Sequence, residues 1–287
     1  MSAVAAPLFS REKILQIARS LPADLNVMSK LGEMLQDVNS ELDEIAALLR
    51  RDVALAARIV RISNSPMFGG GGSIASVEEA VNRVGFSEIL KLVGTATAAR
   101  FSERALEHYD VSAVKLRDNM LYTAFVAEAL ARTAGFDPRT AYTAGLLRPL
   151  GMMVLDRAGR GQVHFTKRYA SSGCATYSAW EGGLFGVNNC EVAAMILDEW
   201  RFPREIGTAI RGHYLGRPDD LGSQLACLLN VSGGLALQVN RALAGEAGWW
   251  ELNAEKLRGA GVPTEELSSA ANTADAAFDA AIEALGM

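Results

Sequence analysis

The sequence predicts an all-α protein, with about a dozen helices in two packed helical halves. Three observations carry this. Alanine, the residue that costs least in a helix, is abundant, while aromatics make up only 7% of the 287 residues. Helix-start signals, a Ser, Asp or Asn with an acid three positions on, recur along the chain. No stretch alternates apolar and polar residues convincingly as a half-buried strand would, and no Asn-Gly hairpin signal occurs.

Each element has its own signal. Ser40 precedes ELDEIAALLRRD, with Asp43 at the third helical position. Asp52 opens VALAARIVRIS, where Val53, Leu55, Ile59 and Ile62 share helical spacing. Ser76 with Glu79 starts VEEAVNRV, and Gly85 ends it. Ser87 caps EILKLVGTATAARF. SAVKLRDNMLYTAFVAEALARTAG is long and periodic up to Gly135. Asp137-Pro138 supplies an N-cap and a proline at the first helical position. Asn188 with Glu191 forms a box ahead of VAAMILDEW, and Pro203 begins REIGTAIRGHY. LGSQLACLLNVSGGLALQVNRALAG reads as helix with a Ser-Gly-Gly interruption at 232–234. Thr264 caps the last helix, whose stripe of Leu267, Ala271, Ala274, Phe278, Ile282 and Leu285 fits packing on its own domain or on another chain.

Two places break the rhythm. Residues 63–76, SNSPMFGGGGSIAS, hold Gly69 to Gly72 in a row. A phosphate cradle needs a preceding strand and a following Lys-Ser/Thr, and neither is there, so a turn between helices is the better reading. Residues 156–180 read as a connection with a short helix inside. The break near 102–112 divides an N-terminal helical part, 1–105, from a C-terminal one, 106–287.

With half the chain apolar, a sizeable core can be buried. The net charge of −5 and the scattered basic residues disfavour nucleic acid as the main partner. Cys174, Cys190 and Cys227 are widely separated and lack zinc or redox spacing, which reads as three buried or half-buried thiols in a reducing compartment. The N-terminus lacks the pattern of a signal peptide, and no run of about 18 apolar residues marks a membrane span. The expected location is the cytoplasm.

Residues 144–157, AGLLRPLGMMVLDR, are spaced like a buried helix, yet Arg148-Pro149 sits in the middle. A proline inside a helix costs roughly 3 kcal/mol, so either the helix starts here or it bends.

Residues 21–101 explain the oddity by resemblance. Asp52, Leu55, Arg58, Ile59, Arg61, Asn64, Ser65, Phe68 and Gly69 resemble the hallmark run of the HDOD family, the HD-related output domains of bacterial signalling proteins. The following Ile-x-S and A-V patterns agree, and the likeness extends over roughly 20–240. It implies an HD-like multi-helix bundle related to metal phosphohydrolases that has lost its metal site. Position by position, Asn119 stands where such hydrolases carry a histidine. Arg148 and Pro149 stand for the adjacent His-Asp pair, Met152 for a lysine and Asn189 for a later histidine. His213-Tyr214 stands for a His-His pair, and Gly233 for the last aspartate. Arginine cannot give up its proton and repels a cation, proline offers no side-chain ligand, and amides ligate weakly. The resemblance therefore implies no catalytic residue, no metal and no cofactor.

Several residues admit two readings. His213 is a ligand or general base, or a hydrogen-bonded core residue, and the second is preferred. His108 and His164 read as surface residues. Arg148 either binds an anion or pairs with a carboxylate such as Glu181, and the pairing is preferred. Asn64 and Ser65 cap helix ends and hold the 63–76 turn, or clamp a ligand. Trp249-Trp250 anchors the C-terminal segment or marks a partner surface. The leading expectation is a non-catalytic regulatory module acting through a signalling protein partner and a small anionic ligand at most. With no receiver or cyclic-dinucleotide enzyme segment attached, its input is expected through binding or expression level. The alternatives are a divergent HD-type phosphohydrolase using His213 and Glu181, and a nucleotide or cyclic-dinucleotide sensor using Arg148 without hydrolysis.

Overall fold

Local capping sets where the helices begin. Asp52 accepts from the backbone N–H of Ala54 and Leu55 at 2.9 and 3.0 Å, and Asp137 accepts from Thr140 at 3.2 Å. Asn188 and Glu191 form a reciprocal box, each accepting the other's N–H. The computed structural model describes residues 10–286 other than 20, 22–23, 38–39, 69–72, 86–87, 102–103 and 161–167. Ser87, Gly69 to Gly72 and His164 lie outside the described residues.

Among the described residues there are fifteen α-helices, more than the dozen expected, and no strand. They are α1 Arg11–Ala18, α2 Asp24–Gln36, α3 Leu42–Leu49, α4 Val53–Ser63, α5 Val77–Val84, α6 Ile89–Phe101, α7 Ala113–Thr133 and α8 Pro138–Leu147. There follow α9 Leu150–Gly159, α10 Tyr177–Phe185, α11 Asn189–Glu199, α12 Arg204–Gly212, α13 Gln224–Gln238, α14 Ala254–Ala260 and α15 Leu267–Ala284. The two shortest of the unforeseen ones, α1 and α14, span too few turns to show a clear period.

The structure corrects several expectations. The cap of α3 is Glu41, not Ser40, and Glu44 rather than Asp43 reaches back to its N–H. Val53 is 81% exposed and does not share the buried stripe of Leu55, Ile59 and Ile62. Position 53 is the first of its helix, turned to solvent before the stripe begins. Glu79 accepts from Ala75 rather than Ser76, one residue beyond a strict box. α13 runs unbroken through 232–234. A side chain at Gly233 would lie 2.7 Å from the Trp250 ring and one at Gly234 would lie 2.4 Å from Leu252. The glycines are there to let chain 250–252 lie against the helix. Thr264 sits in a 3₁₀ lead-in behind Pro263, and α15 starts at Leu267. Residues 156–180 begin inside α9, contain the 3₁₀ turn Tyr169–Ser171, and end inside α10.

α7 is the axis of the molecule. Fourteen of its residues are buried, which its near-continuous apolar sequence requires. α8, α13, α15 and α6 pack around it. Gly145 lets α8 approach so closely that a Cβ would lie 2.8 Å from the Ala124 backbone. α15 packs on its own fold: Phe278 meets Tyr122 edge-on, and Arg241 lies over both rings while pairing with Asp275 at 2.8 Å. α1 lies on α9 and α11, and α2 on α6, so the first helices brace the part that holds the site.

Candidate functional site

Five chain segments converge at the α8–α9 junction. The Arg148-Pro149 pair is neither mid-helix nor a bend within one helix. α8 ends at Leu147, and Pro149 is the N-cap of α9, accepting from Met153 N–H at 3.3 Å. Its missing N–H is a donor that a helix start leaves unpaired in any case. Gly151 then lets α9 touch the start of α11, for a Cβ there would fall 1.8 Å from the Asn189 carbonyl oxygen.

This junction points Arg148 into the interior, where it is 1% exposed. One Nη donates to Glu246 Oε1 and the other to Asn119 Oδ1 on α7. Trp250 lies over the guanidinium at 5.5 Å. The expected carboxylate partner, Glu181, is thus replaced by Glu246, which arrives from the 3₁₀ turn Ala244–Trp249. Burial opposes the guanidinium's charge, but Glu246 and the Tyr214 oxygen hold its pKa above the ordinary arginine value. The Asn119 amide nitrogen donates to the Arg241 carbonyl at 2.8 Å, so this side chain is used at both ends.

Glu181, on α10, belongs to an adjoining network. It accepts from Tyr109 OH at 2.7 Å, from Asn189 N–H at 2.8 Å and from the Asn189 amide nitrogen at 2.9 Å. Burial pushes its pKa up to about 7, against these hydrogen bonds and with help from the Glu246 charge. Asn189 also donates to Tyr214 OH at 3.3 Å, and Tyr214 OH donates to Glu246 at 2.8 Å, joining the two networks.

His213, fully buried at the end of α12, donates from Nδ1 to the Ile210 carbonyl at 2.6 Å. That fixes Nε2 as the unprotonated nitrogen, and it has no protein partner among the described residues. Burial first, and then the nearby Arg148 charge, lower the His213 pKa to about 3. Its ring stacks obliquely near Tyr214 and Trp250, at 4.2 and 5.7 Å. The Cys190 sulfur is 3.7 Å from Nδ1, and burial raises the pKa of this thiol well above the usual value.

These donors do not fit a divalent cation. The fork of Arg148 fills the centre with a permanent positive charge, the Asn119 oxygen already accepts from it, and Asn189 turns its nitrogen to Glu181. Among the described residues no three His, Cys, Asp or Glu side chains converge on one point.

The structure brings together Asn119, Arg148, Pro149, Asn189, Glu181 and His213. Asp52, Arg58, Asn64 and Ser65 lie elsewhere. Asn64 bridges the backbone of Ile74 at 2.7 and 2.9 Å, and Ser65 Oγ donates to the Ile62 carbonyl at 2.6 Å, so both hold the turn after α4. Asp52 caps α4 and pairs with Arg100 at 3.1 Å, while Arg58 reaches the Ala96 carbonyl. His108 is not a surface residue: its N–H and Nδ1 face Asp156 at 2.8 and 3.2 Å, and Arg160 closes the other carboxylate oxygen. Sequence reasoning missed Glu246 and Cys190 and underused Tyr214. Trp250, read from sequence as an anchor or a partner surface, instead lies over the Arg148 guanidinium. The adjacency of Glu246 to the tryptophan pair was the one available signal.

The HDOD domain model matches residues 21–215. The chain is 27% identical over 192 residues to an uncharacterized protein of Treponema pallidum (strain Nichols), covering 65% of this chain and 36% of that one. The chain thus spans about a third of that curated relative's length. Among solved structures, an HDOD domain protein of unknown function from Geobacter sulfurreducens aligns with a TM-score of 0.62 at 21% identity, over 94% of this chain and 99% of that one. A protein from Shewanella amazonensis SB2B, named provisionally as a phosphohydrolase, aligns with a TM-score of 0.65 at 21% identity, over 95% and 97%. One from Marinobacter aquaeolei VT8, named provisionally for signal transduction, gives 0.69 at 21% identity, over 93% of this chain and 59% of that one. At such identities the likeness establishes the HD-like all-α fold. No helix among the described residues is long and apolar enough to cross a membrane.

Proposed function

This chain belongs to the HDOD domain family, and on that premise we propose that it is a non-catalytic regulatory module of bacterial signal transduction that acts by binding a protein partner. The observation that carries the reading is the buried Arg148–Glu246 pair, braced by Asn119 and Trp250; by resemblance, Arg148 stands where metal-dependent hydrolases carry a ligand. Phosphohydrolysis of the HD type relies on a metal-activated water, and a fixed guanidinium salt bridge supplies no such nucleophile. The signal-transduction name of one structural neighbour supports the same reading.

The alternatives find less support. A rebuilt hydrolase would need His213 as ligand or base, yet Nδ1 is committed to Ile210 and the ring resists protonation down to about pH 3. A sensor built on Arg148 would need a free guanidinium fork, and both Nη groups are engaged.

The test has two arms. Titration of manganese, iron, zinc and magnesium into purified protein, with assays of nucleotide and cyclic-dinucleotide hydrolysis, should show neither stoichiometric metal nor turnover. Capture from the native bacterium followed by direct binding of the purified partner should show a saturable complex. Tight stoichiometric metal with turnover that vanishes in His213→Ala refutes the proposal.

A further inference from the structure

α12 carries Arg204, Thr208 and Arg211 at i, i+4 and i+7, on one face of the helix. That face lines a groove against the last turns of α11, where Asp198 forms the opposite wall above Leu197 and Phe202. Arg201 adopts φ 57°, turning the chain so that Phe202 packs inward, and Gly207 lines the groove without a side chain. The groove has a volume of about 240 Å³.

Its charges are uncommitted. Arg148, Arg160 and Arg241 each pair with a carboxylate, whereas among the described residues neither Arg204 nor Arg211 has an ion-pair partner, and neither the Asp198 carboxylate nor the Thr208 hydroxyl has a hydrogen-bond partner. Seven residues along a helix separate the two arginine Cα atoms by about 10 Å, a span their long side chains can close around one anion. The groove is therefore locally cationic on a chain of net charge −5. Two guanidinium forks and a hydroxyl outnumber the two oxygens of a carboxylate but match the three free oxygens of a phosphate ester. Asp198 accepts hydrogen bonds only, so it suits a hydroxyl on the same ligand. The groove has room for several waters or one small ligand.

We propose that the α11–α12 groove binds a phosphorylated small molecule bearing hydroxyl groups, with Arg204, Thr208 and Arg211 on the phosphate and Asp198 on a hydroxyl. This site is separate from the Arg148 pair and does not depend on it.

The experiment is calorimetric titration of the full chain at low salt with ribose 5-phosphate, adenosine monophosphate, inorganic phosphate and ribose. Saturable binding of both phosphate esters is expected, with ribose at least tenfold weaker. Arg204→Gln and Arg211→Gln should each weaken ester binding about tenfold with an unchanged circular dichroism spectrum, since both side chains are exposed. Asp198→Asn should weaken ribose 5-phosphate and not inorganic phosphate. The proposal is overturned if neither ester binds saturably, if ribose binds as well as its phosphate, or if the Arg204→Gln/Arg211→Gln double variant binds like the parent.

Discussion

Replacing Glu246 by Gln keeps the shape of the side chain and removes its charge. Arg148 and Glu246 are 1% and 0% exposed, so no water replaces the lost partner. Arginine cannot escape by deprotonating. The stranded cation should cost about 3–5 kcal/mol, the usual penalty for breaking a buried pair from one side. Arg148→Met should cost a similar amount, because among the described residues the Glu246 carboxylate then keeps only the Tyr214 hydroxyl at 2.8 Å. If the two losses were independent, the double variant would lose about 6–10 kcal/mol, most of the 5–15 kcal/mol that holds a typical domain together. Removing both charges leaves neither stranded, so Arg148→Met/Glu246→Gln should instead cost less than either single change, a coupling of about 3 kcal/mol or more. Guanidinium unfolding followed by far-ultraviolet circular dichroism measures the global loss. Tryptophan fluorescence reports locally, since Trp250 lies over Arg148 and Trp249 stacks on Tyr214 at 5.4 Å. Additive single and double effects, or a Glu246→Gln variant within 1 kcal/mol of the parent, refute the account.

Further outcomes follow from the same site and its surroundings. The unfolded chain protonates His213 below about pH 6.5 and the folded chain only near 3, so stability should fall as pH drops through that window, by about 5 kcal/mol in full; His213→Gln should flatten this acid limb in denaturant titrations. Glu181 acts in the opposite sense: folded, it keeps a proton up to about pH 7 that the unfolded chain releases near 4.5, so stability should fall by about 3 kcal/mol as pH rises through that window. The two slopes offset between them, and Glu181→Gln should unmask the histidine slope alone. Gly151→Ala should cost about 3 kcal/mol or more through its collision with the Asn189 backbone, whereas Gly182→Ala, with nothing within 4 Å, should be neutral or stabilising by about 0.5–1 kcal/mol; melting temperatures separate them. Val53→Lys should change stability by less than about 0.5 kcal/mol while Ile59→Ala costs about 2–5 kcal/mol in chemical denaturation.

Helix starts were readable because a cap is a contact between residues two or three apart. Asp52, Asp137 and Asn188 each do what their spacing announces. Such local signals do not show what a distant group imposes. Gly233 and Gly234 look like a helix break and are room for Trp250 and Leu252. His108 looks like a surface residue and is held by Asp156, 48 positions away.

The sequence by itself determined the all-α class and several helix starts, because residue chemistry and short-range spacing carry that information. Only the tertiary structure decided what Arg148 does. Its counter-charge stands 98 positions along the chain, beyond the residues the family model matches, and nothing local ties the two together. A buried cation must find an anion, but which of 33 acidic residues supplies it depends on the packing that brings the Ala244–Trp249 turn against α13 and within reach of Arg148.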